Sequence, residues 1–104
     1  VVVCDKSKLD KGGYYGAPTL VIEIVSKSSR KRDYIIKLHK YEKAGVKEYW
    51  IIVPNDEVIM RYTLNEKGSY EIPDIYVLDE DEEIISRIFP DLTIKLKDIF
   101  TLWE

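Results

Sequence analysis

Two short apolar segments on either side of one amphipathic segment constrain the fold of this chain more than any other feature. Residues 19–25 (TLVIEIV) and 48–53 (EYWIIV) are rich in β-branched and aromatic residues and too short for stable helices, so each predicts a strand. Between them, residues 30–44 carry apolar side chains at helical spacing, and Gly45 follows as a helix stop. This order predicts a right-handed crossover, with the helix packed on one face of a sheet.

Weaker patterns extend this sheet on both sides. The opening residues predict a strand that pairs with residues 19–25 as a hairpin with a long, polar, glycine-bearing connection. The fold class predicted is therefore α/β, in the α+β form with a mixed sheet. The remaining predicted strands cover residues 1–5, 58–64, 75–78 and 84–88, the connections cover residues 6–16 and 79–83, and a short terminal helix covers residues 96–100.

Length and composition set limits on the class of protein. A chain of 104 residues with 45% hydrophobic and 34% charged residues can bury one modest core, so residues 1–104 are predicted to form a single domain. No apolar run approaches the roughly 20 residues that a membrane span needs. The lone Cys4 cannot form an internal disulfide, which favours a reducing compartment. A cytoplasmic protein without a membrane partner is expected.

Charge is distributed unevenly along the chain. The net charge is −3, but residues 1–50 hold 11 basic and 6 acidic groups, whereas residues 51–104 hold 5 basic and 13 acidic groups. A basic cluster stands at the start of the predicted helix, where positive charge opposes the helix dipole. The cluster is therefore either a phosphate-contacting surface or a merely solvated one, and it consists of Lys27, Arg30, Lys31 and Arg32.

Glu23 is the most informative single position. It lies between Ile22 and Ile24 inside an apolar strand and shares a face with Val21 and Val25. An isolated buried carboxylate costs several kcal/mol unless a partner compensates it. The partner is either a metal ion or a structural Lys or Arg, or else the strand face is half exposed; the residues alone leave these alternatives open.

Lys37 is the second candidate, on the helix that follows the Glu23 strand. It comes one helical turn after Asp33 and one turn before Tyr41, so the three side chains share one edge of the helix. One interpretation is a functional cation near Glu23. The other is an Asp33–Lys37 surface pair, which contributes only a few tenths of a kcal/mol.

The combined pattern resembles the Uma-two family of restriction endonucleases, a branch of the PD-(D/E)xK nuclease superfamily. The resemblance covers most of the chain, including the ending at residues 89–92 and 99–100. No single piece of it is specific, but the combination is. It consists of residues 16–26 (GAPTLVIEIVS), Ser28-Ser29, residues 30–33 (RKRD), Lys37-Leu38, Tyr41, residues 44–51 (AGVKEYWI) and Pro54.

The resemblance implies roles for particular residues. Glu23 matches the acid of the third strand of the superfamily, which binds a divalent cation, usually Mg²⁺ and alternatively Mn²⁺, and the backbone carbonyl of Ile24 matches an additional ligand. Many members have a lysine two residues after this acid, where this chain has Val25. In the resembling family that lysine is relocated, and Lys37 matches it as the residue that assists the attacking water.

Two departures from the family pattern affect the expected activity. A second acid of the superfamily lies in a Pro-Asp pair upstream of the stretch that matches residues 1–3, and Asp5 is a poor substitute for it. Thr19 stands where the family commonly has an Asp after the proline. The chain is therefore interpreted as the carboxyl-terminal part of a nuclease-like domain, weak or inactive as this fragment.

Three functions follow as hypotheses. The first is a metal-dependent DNA endonuclease that hydrolyses phosphodiester bonds. The alternative is a non-catalytic nuclease-like module that binds nucleic acid or a partner. The third is a structural, homo-oligomerising fragment, because an open sheet edge favours pairing between chains.

Overall fold

A computed structural model describes residues 2–3, 9–10, 13–14, 18–25 and 31–103, and the side chains of residues 18–25 and 35–101. Nine strands and two α-helices lie in this part of the chain. In chain order they are β1 (Val2–Val3), β2 (Leu9–Asp10), β3 (Gly13–Tyr14), β4 (Leu20–Ile24), α1 (Lys31–Ala44), β5 (Glu48–Val53), β6 (Val58–Thr63), β7 (Asp74–Val77), β8 (Glu83–Ile85), β9 (Thr93–Lys95) and α2 (Leu96–Trp103).

A five-stranded mixed sheet in the order β1-β4-β5-β6-β7 organises the fold. Strands β4 and β5 are parallel, from Leu20 opposite Glu48 to Ile24 opposite Ile52, and α1 connects them. The other pairs are antiparallel, including β1 with β4. The predicted unit of a strand, a helix and a parallel strand is therefore confirmed, as is the predicted antiparallel pairing of the opening strand with β4.

Helix α1 covers one face of this sheet. The alternation of side chains along β4 and β5 directs Val21, Tyr49 and Ile51 to this face, where Leu38 and Tyr41 of the helix pack against them. The helix ends at Ala44, and Gly45 follows with φ of 83°, a left-handed conformation that glycine adopts at low cost. The helix predicted over residues 30–44 is thus confirmed from Lys31 to Ala44 and its stop at Gly45, while Arg30 lies outside the described residues.

The carboxyl-terminal elements cover the opposite face. Strands β8 and β9 form a separate two-stranded sheet, and α2 follows β9 directly. The sheet therefore lies between α1 and this carboxyl-terminal layer. Apolar side chains of the sheet and of the layer pack together in a second core cluster. The buried members of that cluster are Leu20, Ile22, Trp50, Ile52, Ile59, Ile84, Leu96 and Phe100.

Several local predictions are wrong. The connection predicted over residues 6–16 contains two short paired strands, β2 and β3, with Leu9 opposite Tyr14 and Asp10 opposite Gly13. The strand predicted over residues 84–88 ends at Ile85, because the amides of Arg87 and Ile88 donate to the Glu48 carboxylate rather than to a strand.

The end of the chain also differs in detail from the prediction. Strand β9 is too short to give a period-two pattern in the sequence, and α2 continues three residues past Phe100. Neither helix in the described ranges is long and apolar enough to cross a membrane.

Candidate active site around Glu23

Glu23 projects from β4 toward helix α1. Strand alternation places it on the face that carries Val21 and Val25, as predicted, and both of these valines belong to the core cluster under the helix. The Glu23 side chain is 27% exposed, so its carboxylate lies at the border of that core rather than deep inside it. A carboxylate in this position keeps some access to solvent while its surroundings restrict its orientation.

Tyr41 holds one oxygen of this carboxylate. Its hydroxyl donates a hydrogen bond of 2.9 Å to Oε1 of Glu23 across the gap between α1 and β4. Burial, followed by the hydrogen bond to Glu23 and its negative charge, raises the pKa of Tyr41 to about 12. The phenol therefore stays protonated at neutral pH and acts as a donor to Glu23.

Lys37 approaches the other oxygen. Its Nζ atom lies 3.4 Å from Oε2 of Glu23, and its side chain is 50% exposed. The structure thus brings Lys37 and Tyr41, which helical spacing predicted to share one edge of the helix, to the two oxygens of Glu23. The alternative partner of Lys37, the side chain of Asp33, lies outside the described residues.

The structure describes the other predicted site residues only in part. Ile24 follows Glu23 in β4 and is 46% exposed, and the role of its carbonyl as a metal ligand stays a prediction. Lys27 and Arg30 lie outside the described residues. Lys31 and Arg32 form the first turn of α1, and their side chains also lie outside the described part of the chain. The nucleic-acid role assigned to this cluster stays a prediction.

Buried tyrosines border the carboxylate on the core side. The ring of Tyr49 is fully buried and lies 4.9 Å from that of Tyr41, centroid to centroid, in an edge-on arrangement. Burial, and after it the charge of Glu23, raises the pKa of Tyr49. The Tyr49 hydroxyl has no hydrogen-bond partner within the described residues. Tyr41 and Tyr49 both pack in or against the core cluster under α1.

The donor chemistry of this site suits a hard divalent cation. Mg²⁺ prefers oxygen ligands and is commonly held by one or two carboxylates together with several waters. Glu23 supplies one such carboxylate, and the Ile24 carbonyl follows it in the strand. Within the described ranges, no group of three or more His, Cys, Asp and Glu side chains is arranged to hold a metal ion. Among the described residues, the oxygen donors that could hold a divalent cation here are thus one carboxylate and the backbone carbonyl next to it, and the Mg²⁺ or Mn²⁺ site stays a prediction.

Glu48 is a buried acid that the sequence reasoning missed. Its side chain is fully buried at the start of β5, on the face opposite to Glu23. Its Oε1 accepts hydrogen bonds from the Ser86 hydroxyl at 2.9 Å and from the amides of Arg87 and Ile88, and its Oε2 accepts one from the Trp50 indole. The only local signal is the Glu-x-Trp spacing, which places both side chains on one strand face.

A second polar cluster lies on that same face. Arg61 of β6 is 7% exposed in its side chain and donates to Asp74 of β7 at 2.8 and 3.2 Å, and to the carbonyl of Ile85. Arg87 adds a contact of 3.0 Å to the same Asp74 oxygen. These contacts tie the edge of the sheet to β8, so their role in the described structure is to join the two layers.

Comparison with known proteins supplies the broader context of this fold and site. A family model described as "Uma2: Putative restriction endonuclease" matches residues 1–97. A solved structure from Anabaena variabilis ATCC 29413, described as "a putative nuclease belonging to DUF820", is similar with a TM-score of 0.73 and 20% sequence identity. The likeness covers 94% of this chain and 56% of that one, so this chain spans a little over half the length of the neighbour. No curated protein matches the chain.

Proposed function

This chain belongs to the Uma2 family, and from that premise we propose that the full-length protein is an endonuclease that hydrolyses phosphodiester bonds of DNA with Mg²⁺ or Mn²⁺. The similar solved structure supports the fold alone, because its sequence identity to this chain is only 20%. The observation that carries the proposal is the Glu23 carboxylate, held at one oxygen by Tyr41 and approached at the other by Lys37.

Each residue of the site has a chemical task in this reaction. Glu23, with the Ile24 carbonyl, would hold the cation, which when bound stabilises developing negative charge and activates a water. Lys37 carries a positive charge on a half-exposed, flexible side chain beside Glu23. It can therefore reach toward a scissile phosphate or an attacking water and stabilise charge in the transition state.

The sheet register supports a site that needs more than the described residues. Strand β1 is antiparallel to β4, with Val2 opposite Val21 and Val3 opposite Leu20. Residues that preceded Val2 in the same register would approach Glu23 from the neighbouring strand. An acid supplied from there would complete a two-carboxylate site, so activity is proposed for the full-length protein.

Cleavage of supercoiled plasmid by the full-length protein tests this proposal. We expect nicked and linear DNA only in the presence of Mg²⁺ or Mn²⁺, and a loss of at least about 100-fold in rate for Glu23→Gln, since the amide keeps the size but loses the charge. Glu66→Gln, an exposed loop change, is the matched control. Normal cleavage by the Glu23→Gln protein would show that the proposed role of Glu23 is wrong.

A second candidate is a module that binds nucleic acid without cleaving it. Thr19 favours it, because this position, where the resembling family commonly has an acid, is only 5% exposed and carries no carboxylate. Binding of DNA by the full-length protein that weakens steeply with salt, combined with no cleavage at any tested metal concentration, would support this module over the nuclease.

A further inference from the structure

The hydroxyl of Tyr41 has one role in the described structure that its ring does not explain. The ring packs against Tyr49 and belongs to the core cluster under α1, and a phenylalanine would fill the same space. The hydroxyl instead donates 2.9 Å to Oε1 of Glu23. A polar atom at the border of an apolar core therefore points at the one carboxylate of the proposed site.

The two oxygens of Glu23 have different partners. Oε1 accepts from Tyr41, whose ring packs against Tyr49 in the core cluster under α1. Oε2 faces Lys37 at 3.4 Å, at the long limit of a hydrogen bond, and the Lys37 side chain is half exposed. The first contact is rigid and the second is exchangeable, so a cation can replace the ammonium at Oε2 without disturbing the core.

We propose that Tyr41 is a positioning residue for the proposed metal site: its hydroxyl fixes Oε1 of Glu23 and so presents Oε2 to the divalent cation. This inference rests on the proposed function and adds a residue to it. Groups that hydrogen-bond to metal ligands orient them, and their removal typically lowers metal affinity by about 10-fold to 100-fold. Tyr41 occupies this place relative to Glu23, on the helix that also supplies Lys37.

The test compares Tyr41→Phe with Tyr49→Phe in the full-length protein. Both changes remove one hydroxyl from neighbouring core tyrosines, but only the first removes a hydrogen bond to Glu23. Mn²⁺ binding is measured by calorimetry without DNA, and plasmid cleavage is measured as a function of Mn²⁺ concentration. Thermal unfolding of each variant without metal reports whether the fold is intact.

We expect Tyr41→Phe to weaken Mn²⁺ binding by about 10-fold or more and to raise the Mn²⁺ concentration for half-maximal cleavage by a similar factor. Saturating Mn²⁺ should restore most of the maximal rate, because Glu23 itself remains. Tyr49→Phe should leave both constants unchanged. If Tyr41 had only a structural role, Tyr41→Phe would lower the cleavage rate at every Mn²⁺ concentration without changing the Mn²⁺ concentration for half-maximal cleavage.

Two results would overturn the inference, and they are distinguishable. If the wild-type protein binds Mn²⁺ and cleaves DNA while Tyr41→Phe shows the same midpoint, the positioning role of Tyr41 is wrong and the proposed nuclease stands. If the wild-type protein neither binds Mn²⁺ nor cleaves, the proposed function fails and Tyr41 has no metal ligand to position. A second substitution, Tyr41→Leu, guards against a special effect of phenylalanine and should shift the midpoint in the same direction.

Discussion

The Ser86 hydroxyl donates a hydrogen bond of 2.9 Å to Oε1 of Glu48, although 38 positions separate the two residues in the chain. The same oxygen accepts the amides of Arg87 and Ile88. A fully buried carboxylate on the central sheet is thereby satisfied by the segment that follows β8. Glu48 thus joins the sheet to the carboxyl-terminal layer through hydrogen bonds rather than through an ion pair.

Replacing Glu48 should destabilise the protein strongly. The four groups that contact its carboxylate within the described residues are all donors, so Glu48→Gln places an amide NH₂ against at least one donor, and Glu48→Ala leaves all four without their acceptor. Unsatisfied buried groups cost about 1–3 kcal/mol each, and losses combine incompletely. We expect the free energy of unfolding, measured in urea, to fall by about 2 kcal/mol for Gln and more for Ala. An unchanged midpoint for both variants would contradict this role.

The contrast between Glu23 and Glu48 shows what sequence can predict for this fold. Glu23 is recognisable because it interrupts an apolar strand, and helical spacing places Lys37 and Tyr41 on one edge of the next helix. The contacts of that edge with Glu23 stay within one strand-helix unit. Glu48 begins its strand, where an acid is unremarkable. Apart from Trp50, its partners come from a segment 38 to 40 residues away, and no local pattern encodes that distance.

The same reasoning explains the accuracy along the chain. Strand β5 was predictable because its six residues form a short, continuous run rich in β-branched and aromatic side chains. Helix α1 was predictable because its fourteen residues carry apolar side chains at helical spacing. Strands β8 and β9 have three residues each, and their bounds depend on tertiary contacts such as the Arg87 amide bond to Glu48. The packing of β8, β9 and α2 against the sheet face opposite to α1 depends on long-range contacts, which the periodicity of the sequence does not predict.

Asp74 should make stability sensitive to acid. The hydrogen bond from Arg61, with further help from Arg87 and against the effect of burial, lowers the pKa of Asp74. A carboxyl with a lowered pKa in the folded state adds stability that is complete above the unfolded value of about 3.9 and is lost as pH falls through the folded value. The free energy of unfolding should therefore fall from about pH 5 downward, by a modest amount because Asp74 is 40% exposed.

The Asp74→Asn protein isolates this contribution. It should be less stable than wild type at neutral pH, since Arg61 is nearly buried and loses its ionised partner, and it should lose less stability on acidification. Asp91→Asn, an exposed change in a loop, is the control. Urea unfolding at about pH 7, 5 and 3 measures both effects. Parallel curves for wild type and Asp74→Asn would contradict the assignment.

Lys37→Met should separate metal binding from catalysis. The ammonium lies 3.4 Å from Oε2 of Glu23, so its removal takes away a charge that competes with a cation for that oxygen. We expect Mn²⁺ affinity of the full-length protein to stay the same or increase, whereas the maximal cleavage rate falls by about 100-fold or more. Lys40→Met, an exposed change on the same helix, should affect neither. Full cleavage by Lys37→Met would exclude the proposed role of Lys37.

Removing the hydroxyl of Tyr49 should stabilise the protein, in contrast to the replacements of Glu48 and Asp74. This hydroxyl is buried and has no hydrogen-bond partner within the described residues, so the folded protein loses its hydration without compensation. Tyr49→Phe keeps the ring that packs against Tyr41 and Tyr62 and removes the unpaired atom. We expect the free energy of unfolding to rise by about 1 kcal/mol, measured by urea denaturation.

Tyr41→Phe is the matched comparison, because its hydroxyl is paired with Glu23 and its removal should not stabilise the fold. If Tyr49→Phe instead lowers the free energy of unfolding, the Tyr49 hydroxyl has a hydrogen-bond partner in solution, such as a bound water. The two phenylalanine variants thus compare, through stability alone, a phenol that is hydrogen-bonded with one that has no partner within the described residues.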